Sequence, residues 1–154
     1  MTKQLWAPWR LEYIEHADET SGCVFCDPDE ELVIHDGETA FVLLNRFPYT
    51  SGHLLVAPRR HIGVYGELSD NEALEIHHLT AQGVAALAAE YGPQGHNLGW
   101  NLGRVAGAGI VDHIHLHVVP RWAGDTNFMP VLADVRVLPE ALVQTARRLR
   151  ARWV

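Results

Sequence analysis

The chain has 154 residues, of which 47% are hydrophobic and 20% are charged, and its formal net charge at pH 7 is -7. This length and composition indicate one globular domain that needs no disulfide scaffold. The negative charge argues against binding along a nucleic acid polymer, and no stretch approaches the roughly 20 apolar residues of a membrane span. The polar, proline-containing start does not resemble a signal peptide, so we expect a cytoplasmic protein.

A polar, acidic segment at residues 17–31 follows an aromatic N-terminal arm and contains the pair Cys23 and Cys26. In a cytosolic chain, Cys-x-x-Cys is more often metal-binding or redox-active than structural. A thioredoxin-like motif would lie in a βαβ unit, and no such pattern surrounds Cys23. Zinc would need two further ligands. The residues alone leave a zinc site, an unliganded thiol pair and a disulfide open.

Three predicted strands follow. The segment "ELVIHDGETAFVLLNR" contains two apolar runs joined by Asp36-Gly37, a dipeptide that favours the positive φ angles of a tight hairpin turn. Turn residues then lead into "HLLVAPRRH", which we interpret as a third strand ending near Pro58.

Residues 69–91 carry the strongest helix signal. Ser69 and Glu72 have the spacing of a capping box, and Gly92 with Pro93 is typical of a helix end. The predicted apolar face consists of Leu74, Leu79, Val84, Leu87, Ala88 and Tyr91.

The rest of the chain predicts two more strands and a second helix. "HNLGWNLGR" and "IVDHIHLHVVPRW" are the strands, separated by a loop at Gly107 to Gly109. The helix extends from about Pro139 to Trp153, and its basic face contains Arg147, Arg148, Arg150 and Arg152. This order of elements indicates an α+β fold with a mostly antiparallel, five-stranded sheet and two main helices.

Three histidines alternate with apolar residues in the fifth predicted strand. His113, His115 and His117 would project from one face at a spacing of about 6 to 7 Å. A solvent-exposed polar face is the simplest interpretation, but three histidines in alternation make it a poor one. Imidazole is the commonest metal ligand and is also a competent nucleophile at neutral pH. The spacing alone does not choose between metal binding and covalent catalysis.

The segment "HIHLHVV" resembles the histidine triad (HIT) pattern His-φ-His-φ-His-φ-φ, in which φ is apolar. "FVLLNRFPYTSGHLLVAPRRH" is similar to the upstream segment of that family, with matching positions at Asn45, Pro48, Gly52-His53 and Arg60-His61. The family consists of nucleotidyl hydrolases and transferases. The resemblance implies a HIT-like fold and a homodimer in which the sheet continues between subunits.

The resemblance covers most of the chain and implies a single HIT domain over residues 1–154. We expect an N-terminal arm with the cysteine pair at residues 1–30, a core at residues 31–122, and a C-terminal extension with a helix at residues 123–154.

The resemblance also implies roles for individual residues. His115 matches the nucleophile that attacks the α-phosphorus and forms a nucleotidyl-histidine. His117 matches the histidine that contacts the α-phosphate and assists the leaving group, and His53 matches a histidine of the surrounding hydrogen-bond network. Asn45 matches the position that binds the ribose hydroxyls. Asn101 lies where the family often has an Asn that contacts phosphate.

The loop before the triad departs from many family members, which have Gln and then Ser or Thr there. Here the loop is "AGAGIVDH", and it resembles the branch that phosphorolyses diadenosine tetraphosphate to ADP and ATP. The segments "PRW", "GDTNFM" and "LWAPWRLEYI" also resemble that branch. Gly107 and Gly109 can let backbone N–H groups approach phosphates closely, although a tight turn alone is an equal explanation.

A zinc site is also implied by resemblance. In the related galactose-1-phosphate uridylyltransferases, and in several triad proteins with this cysteine pair, two histidines complete the site. The matching positions are His61 and His113, which together with Cys23 and Cys26 would hold a structural zinc. No organic cofactor is expected.

Three functions remain open at this level. The first is a nucleotidyltransferase that converts diadenosine tetraphosphate and phosphate to ADP and ATP. The second is a hydrolase of dinucleoside polyphosphates or nucleoside phosphoramidates, and the third is a zinc-stabilised nucleotide-binding module without turnover. The expected partners are a nucleotide or dinucleoside polyphosphate, phosphate and a second subunit, with no nucleic acid polymer and no membrane.

Overall fold

A computed structural model describes residues 22–125 and 140–154. Its strands and helices are β1 Val33–Asp36, β2 Ala40–Leu44, β3 Leu54–Pro58, α1 Asp70–Tyr91, β4 Gly95–Trp100, β5 Leu116–Arg121 and α2 Leu142–Arg152. The strands form one sheet in the order β1-β2-β3-β5-β4, with each neighbouring pair antiparallel. The predicted α+β class with a five-stranded sheet and two main helices is confirmed.

The two faces of the sheet are packed differently. Because side chains alternate along a strand, every second residue lies on the same face. On the helix face, strand residues pack with residues of α1 and α2 in the main core, which includes Val42, Leu44, Leu54, Val56, Val118, Ile76, Leu79, Leu87 and Leu149. The opposite face, which we call the site face, carries a smaller buried cluster of Phe25, Phe41, Leu43, Leu55 and Ala57. Leu55 is paired with His117, which therefore also lies on the site face.

Helix α1 begins and ends as the sequence predicts. The Ser69 hydroxyl accepts a hydrogen bond from the Glu72 N–H group, and the Glu72 carboxylate accepts one from the Ser69 N–H group, which completes the capping box. Gly92 ends the helix with a φ of 56°. The predicted apolar face is wrong at Leu74, which is 56% exposed, and at Ala88, which is also exposed. The buried stripe passes instead through Ile76, which lies about 200° around the helix from Leu74.

The turn between β1 and β2 differs from the predicted tight hairpin. Gly37 does not adopt a positive φ, and its N–H group donates to the Ala40 carbonyl at 2.9 Å. The Glu75 carboxylate of α1 accepts hydrogen bonds from the backbone N–H groups of Glu38, Thr39 and Ala40. A side chain that is distant in sequence therefore determines this turn, and the Asp36-Gly37 dipeptide does not.

Strand β5 is shorter than predicted. It begins at Leu116, so His113 and His115 lie in the loop before it and do not share a strand face with His117. The reason is that β3 pairs with β5 only from Leu54 to Val56, whereas the Ile114 N–H group donates to the Ile62 carbonyl. The solvent-exposed interpretation of the three histidines is also wrong, because all three are buried.

Helix α2 uses its basic face to dock on the rest of the fold. Arg148 forms ion pairs with Glu90 and Glu140, and Arg152 pairs with Glu90. Arg150 donates hydrogen bonds to the backbone carbonyl of Val33, the first residue of β1, and to those of residues 30 and 31 just before it. The predicted helix start at Pro139 and the segments "LWAPWRLEYI" and "TNFM" lie outside the described residues.

Neither helix in the two described ranges combines the length and the apolar character that crossing a membrane requires.

Candidate active site and metal centre

The site face of the sheet places His53 and His117 side by side. His53 immediately precedes β3, and His117 is the second residue of β5. The antiparallel pairing of these strands brings His53 Nε2 to 3.0 Å from His117 Nδ1. Both rings are buried, with 0% and 9% of their surface exposed. The register of two neighbouring strands therefore builds this histidine pair.

A backbone amide determines which nitrogen of each ring carries the proton. The Tyr49 N–H group donates to His53 Nδ1 at 3.0 Å. Because Nδ1 accepts, the neutral ring of His53 carries its hydrogen on Nε2 and donates it to His117 Nδ1. The neutral ring of His117 then carries its own hydrogen on Nε2. The Asn101 side-chain amide lies there with its nitrogen 3.4 Å away, and a turn of this amide presents its oxygen as the acceptor for that hydrogen.

His115 has the opposite arrangement of ring nitrogens. Its Nδ1 lies 3.0 Å from the carbonyl oxygen of His113, so Nδ1 carries the hydrogen and Nε2 keeps the lone pair. Burial lowers the pKa of His115, and the hydrogen bond to the carbonyl only partly opposes this effect. The ring is therefore neutral at physiological pH. Its centroid lies 4.9 Å from that of His117, which places a nucleophilic nitrogen beside a ring that can donate a proton.

The two asparagines lie at the edges of this histidine group. The Asn45 backbone N–H donates to the His53 carbonyl, and its side-chain nitrogen lies 3.4 Å from His53 Nδ1. The Asn45 side-chain oxygen accepts from the Phe47 N–H group. Asn101 contacts His117 and the carbonyl of Gly107. The fold thus brings both predicted substrate-binding asparagines to the predicted catalytic histidines.

The glycine loop follows a short 3-10 helix, Arg104–Ala106, and Gly107 ends that helix with a φ of 91°. This left-handed conformation favours glycine, so the turn itself requires Gly107. Gly109 is half-buried and does not have a positive φ. The contact between Gly107 and Asn101 connects this loop to the histidine group.

A second cluster lies directly behind the histidine group and consists of Cys23, Cys26, His61 and His113. The Cys23 and Cys26 sulfurs lie 3.3 and 3.6 Å from His113 Nδ1, and the Cys26 sulfur lies 3.2 Å from His61 Nδ1. All four ligand atoms lie within 4.8 Å of one another. Zn–S and Zn–N bonds of about 2.3 and 2.0 Å at tetrahedral angles would place neighbouring ligand atoms about 3.3 to 3.8 Å apart. The cluster therefore has the composition and spacing of a tetrahedral metal site.

The far nitrogens of both histidines have partners that suit metal ligation. His113 Nε2 lies 2.8 Å from the Pro58 carbonyl oxygen, so it carries the hydrogen and leaves Nδ1 for a metal. His61 Nε2 lies 3.6 Å from a carboxylate oxygen of Asp112. Such outer contacts orient metal-binding imidazoles and select the correct nitrogen. Burial lowers the pKa of His113, which favours the neutral ring that a metal requires.

Three residues that the sequence does not predict also contribute to the site. Tyr49 donates its N–H group to His53, and its ring lies parallel to that of His117 with centroids 5.9 Å apart. Asp112 contacts His61, and Phe25 packs against His113 and His115. Tyr49 lies in a turn segment and Phe25 lies between two cysteines. Neither position belongs to a sequence pattern that indicates contact with a histidine. Only Asp112, which directly precedes the triad, had a sequence signal that could have indicated its role.

Together, the antiparallel α+β fold and the buried histidine group define a class of protein, the HIT family. The HIT domain model matches residues 28–124, so the chain belongs to this family.

Individual relatives resemble more of the chain. An AP-4-A phosphorylase from Mycobacterium tuberculosis is 35% identical over 98% of this chain and 84% of its own length. Adenosine 5'-monophosphoramidase from Schizosaccharomyces pombe is 34% identical over 64% of this chain and 74% of its own length. A zinc-bound histidine triad family protein from Mycobacterium smegmatis has a similar structure, with a TM-score of 0.68 and 27% identity over 85% of this chain and 92% of its own.

Proposed function

We propose that this protein is a nucleotidyltransferase that converts diadenosine tetraphosphate and inorganic phosphate to ADP and ATP. The observation that carries the proposal is the opposite proton placement in two adjacent rings, His115 with a lone pair on Nε2 and His117 with a hydrogen on Nε2. The similarity to an AP-4-A phosphorylase over nearly the whole chain supports this substrate. The glycine loop supports it as well, because it resembles the same branch of the family.

In the first step, His115 Nε2 attacks the α-phosphorus of one adenosine. A P–N bond forms, and the bond between this phosphorus and the bridging oxygen breaks. ATP leaves with that oxygen, which receives the proton from His117 Nε2. The hydrogen bond from His115 Nδ1 to the His113 carbonyl stabilises the positive charge that develops on the ring.

In the second step, an oxygen of inorganic phosphate attacks the adenylyl-histidine. The P–N bond breaks, ADP leaves, and His115 regains its lone pair. His117 recovers a proton from the attacking phosphate, and its Nδ1 stays hydrogen-bonded to His53 throughout. In this proposal Asn45 binds the ribose hydroxyls, and Asn101 with the backbone of Gly107 and Gly109 contacts the phosphates.

We also propose that Cys23, Cys26, His61 and His113 bind a structural zinc. The sulfur and nitrogen ligands, their spacing, and the partners of the two histidines support this assignment. Zinc would supply no reaction chemistry here, because the four residues leave no ligand position for a substrate. It would fix the cysteine loop against His113, which lies two residues before the proposed nucleophile His115.

A homodimer through β4 is a further part of the proposal. Within residues 22–125 and 140–154, β4 is an edge strand of the sheet, and Leu98 on it is 53% exposed. A strand with one unpaired edge and an exposed apolar residue favours pairing with a second copy. Sedimentation velocity should give the mass of two chains, and a monomer at micromolar concentration would contradict this part.

Hydrolysis is the second candidate, and the similarity to a monophosphoramidase favours it. A single assay separates the two functions: the protein is incubated with diadenosine tetraphosphate with and without phosphate, and the nucleotides are resolved. We expect ADP and ATP only when phosphate is present. Formation of AMP and ATP at the same rate without phosphate would identify a hydrolase. Binding without any product would identify a nucleotide-binding module.

A further inference from the structure

Phe25 lies between the two cysteines, yet its side chain reaches the active site. It is 3% exposed. Its ring centroid lies 4.6 Å from that of His115 with an interplanar angle of 30°, and 5.1 Å from that of His113. The residue is therefore in contact with the candidate nucleophile and with the candidate metal ligand next to it.

The orientation of the His115 ring needs more than its hydrogen bond. The bond from Nδ1 to the His113 carbonyl restrains one edge of the imidazole, but hydrogen bonds to carbonyl oxygens tolerate a broad range of angles. The tilt of the ring depends on what packs against its faces. His117 approaches at 55°, whereas Phe25 is closer to parallel and covers a face.

Phe25 is itself held firmly on both sides. It belongs to the buried cluster of the site face with Phe41 and Leu55. The backbone turn that carries it is closed by hydrogen bonds from the Cys26 and Asp27 N–H groups to the Cys23 carbonyl, at 3.0 and 3.1 Å. The cysteines on either side point to His61 and His113. The loop thus presents a fixed aromatic surface.

We propose that Phe25 is a positioning residue that holds the His115 ring at the tilt from which Nε2 attacks phosphorus. The Cys-x-x-Cys loop then serves the reaction through Phe25 and does more than stabilise the fold. This inference rests on the proposed role of His115 as the nucleophile.

The proposal predicts a specific kinetic effect. Phe25 contacts the two histidine rings and covers the nucleophile, so its loss should misdirect Nε2 without removing a substrate contact. In Phe25→Leu and Phe25→Met we expect kcat to fall about 10- to 100-fold, with the KM for diadenosine tetraphosphate within about twofold of the wild type. Phe25→Tyr keeps the ring and should retain kcat within about threefold.

Two control variants separate positioning from loss of stability. Val24→Ala changes an exposed residue of the same loop, and Ile76→Val trims the core on the opposite face of the sheet. Both should retain wild-type kcat. The zinc content of every variant is measured by elemental analysis and should equal that of the wild type.

A spectroscopic measurement tests the same contact without any substrate. The Phe25 ring should shift the carbon-bound proton resonances of the His115 imidazole upfield, and these resonances should move and broaden in Phe25→Leu and Phe25→Met but not in the controls. Wild-type protein that turns over no nucleotide, yet shows this behaviour, would refute the proposed function and leave the packing role supported.

Three results would overturn the proposal. One is a kcat equal to that of the wild type in both Phe25→Leu and Phe25→Met. Another is an equal loss of kcat in Ile76→Val. The third is a loss of zinc in proportion to the loss of kcat, because Phe25 would then only fold the loop.

Discussion

At the scale of single residues, the site depends on where each imidazole carries its proton. His115 and His117 are chemically identical and nearly touch, but a carbonyl accepts from Nδ1 of the first and a histidine donates to Nδ1 of the second. Neighbouring groups thereby suit one ring to the proposed role of nucleophile and the other to that of acid. His53 is the residue through which this difference is established, since a backbone amide fixes its tautomer.

Substitution of His53 tests this relay. In His53→Gln, the side-chain amide nitrogen can still donate to His117 Nδ1, whereas the alanine of His53→Ala has no side-chain donor. We expect kcat to fall about tenfold in His53→Gln and about 100-fold or more in His53→Ala. Steady-state kinetics at saturating substrate provides the comparison. Equal losses in the two variants would show that the donated hydrogen bond has no part in the reaction.

At the scale of elements, the loop of Cys23 and Cys26 connects the proposed zinc site to the proposed active site. Removal of the metal should release this loop from His61 and His113, because coordination joins segments that are far apart in sequence. We expect elemental analysis to find one zinc per chain. Treatment with a chelator should lower the Tm and free both thiols for titration. Protein without zinc and with two freely titratable thiols at the outset would contradict the assignment.

The start of α1 provides a second prediction at this scale. Glu72 is buried and bonded to Arg60 and Ser69. The Arg60 guanidinium, followed by the Ser69 contacts, lowers the pKa of the Glu72 carboxyl to about 2. A pKa below that of the unfolded chain adds stability above pH of about 4.5, and this stability is lost as the pH falls towards about 2.

The variant Glu72→Gln should therefore unfold more easily at neutral pH. We expect its free energy of unfolding to be lower by about 2 kcal/mol at pH 7, a value that allows for the exposure of the Arg60 side chain. The difference from the wild type should shrink below pH of about 4.5. Urea unfolding between pH 7 and pH 3 measures this difference in the free energy of unfolding. The control is Glu38→Gln, which changes an exposed carboxylate. A difference independent of pH would refute the electrostatic explanation.

At the scale of the whole molecule, local signals predicted the elements and distant contacts determined the site. Ser69, Glu72 and Gly92 identify α1 because capping depends on residues a few positions apart. The prediction that the three histidines share one strand face was wrong, because the pairing of β3 with β5 does not extend to His115. That pairing joins segments about 60 residues apart, so local sequence does not indicate where it ends. The sequence also did not predict the contact of Glu75 with the β1–β2 turn or the packing of Phe25 on His115.

Family resemblance supplied what local patterns could not. It named His61 and His113 as partners of the cysteine pair, and the structure places all four side chains together. It also placed Asn45 and Asn101 beside the histidines, where both lie. The structure gives a physical reason why the three histidines of the triad differ, which the resemblance alone does not. His113 faces the cysteines, and His115 and His117 face each other with opposite proton placement.

Detection of an adenylyl group on His115 tests the proposed mechanism most directly. The enzyme is mixed with diadenosine tetraphosphate in the absence of phosphate, quenched in alkali to preserve a P–N bond, and digested for mass spectrometry. We expect one adenylyl group on His115, its absence in His115→Ala, and its release as ADP when phosphate is added before the quench. Turnover by His115→Ala at a rate near that of the wild type, or an unmodified His115 during turnover, would contradict it.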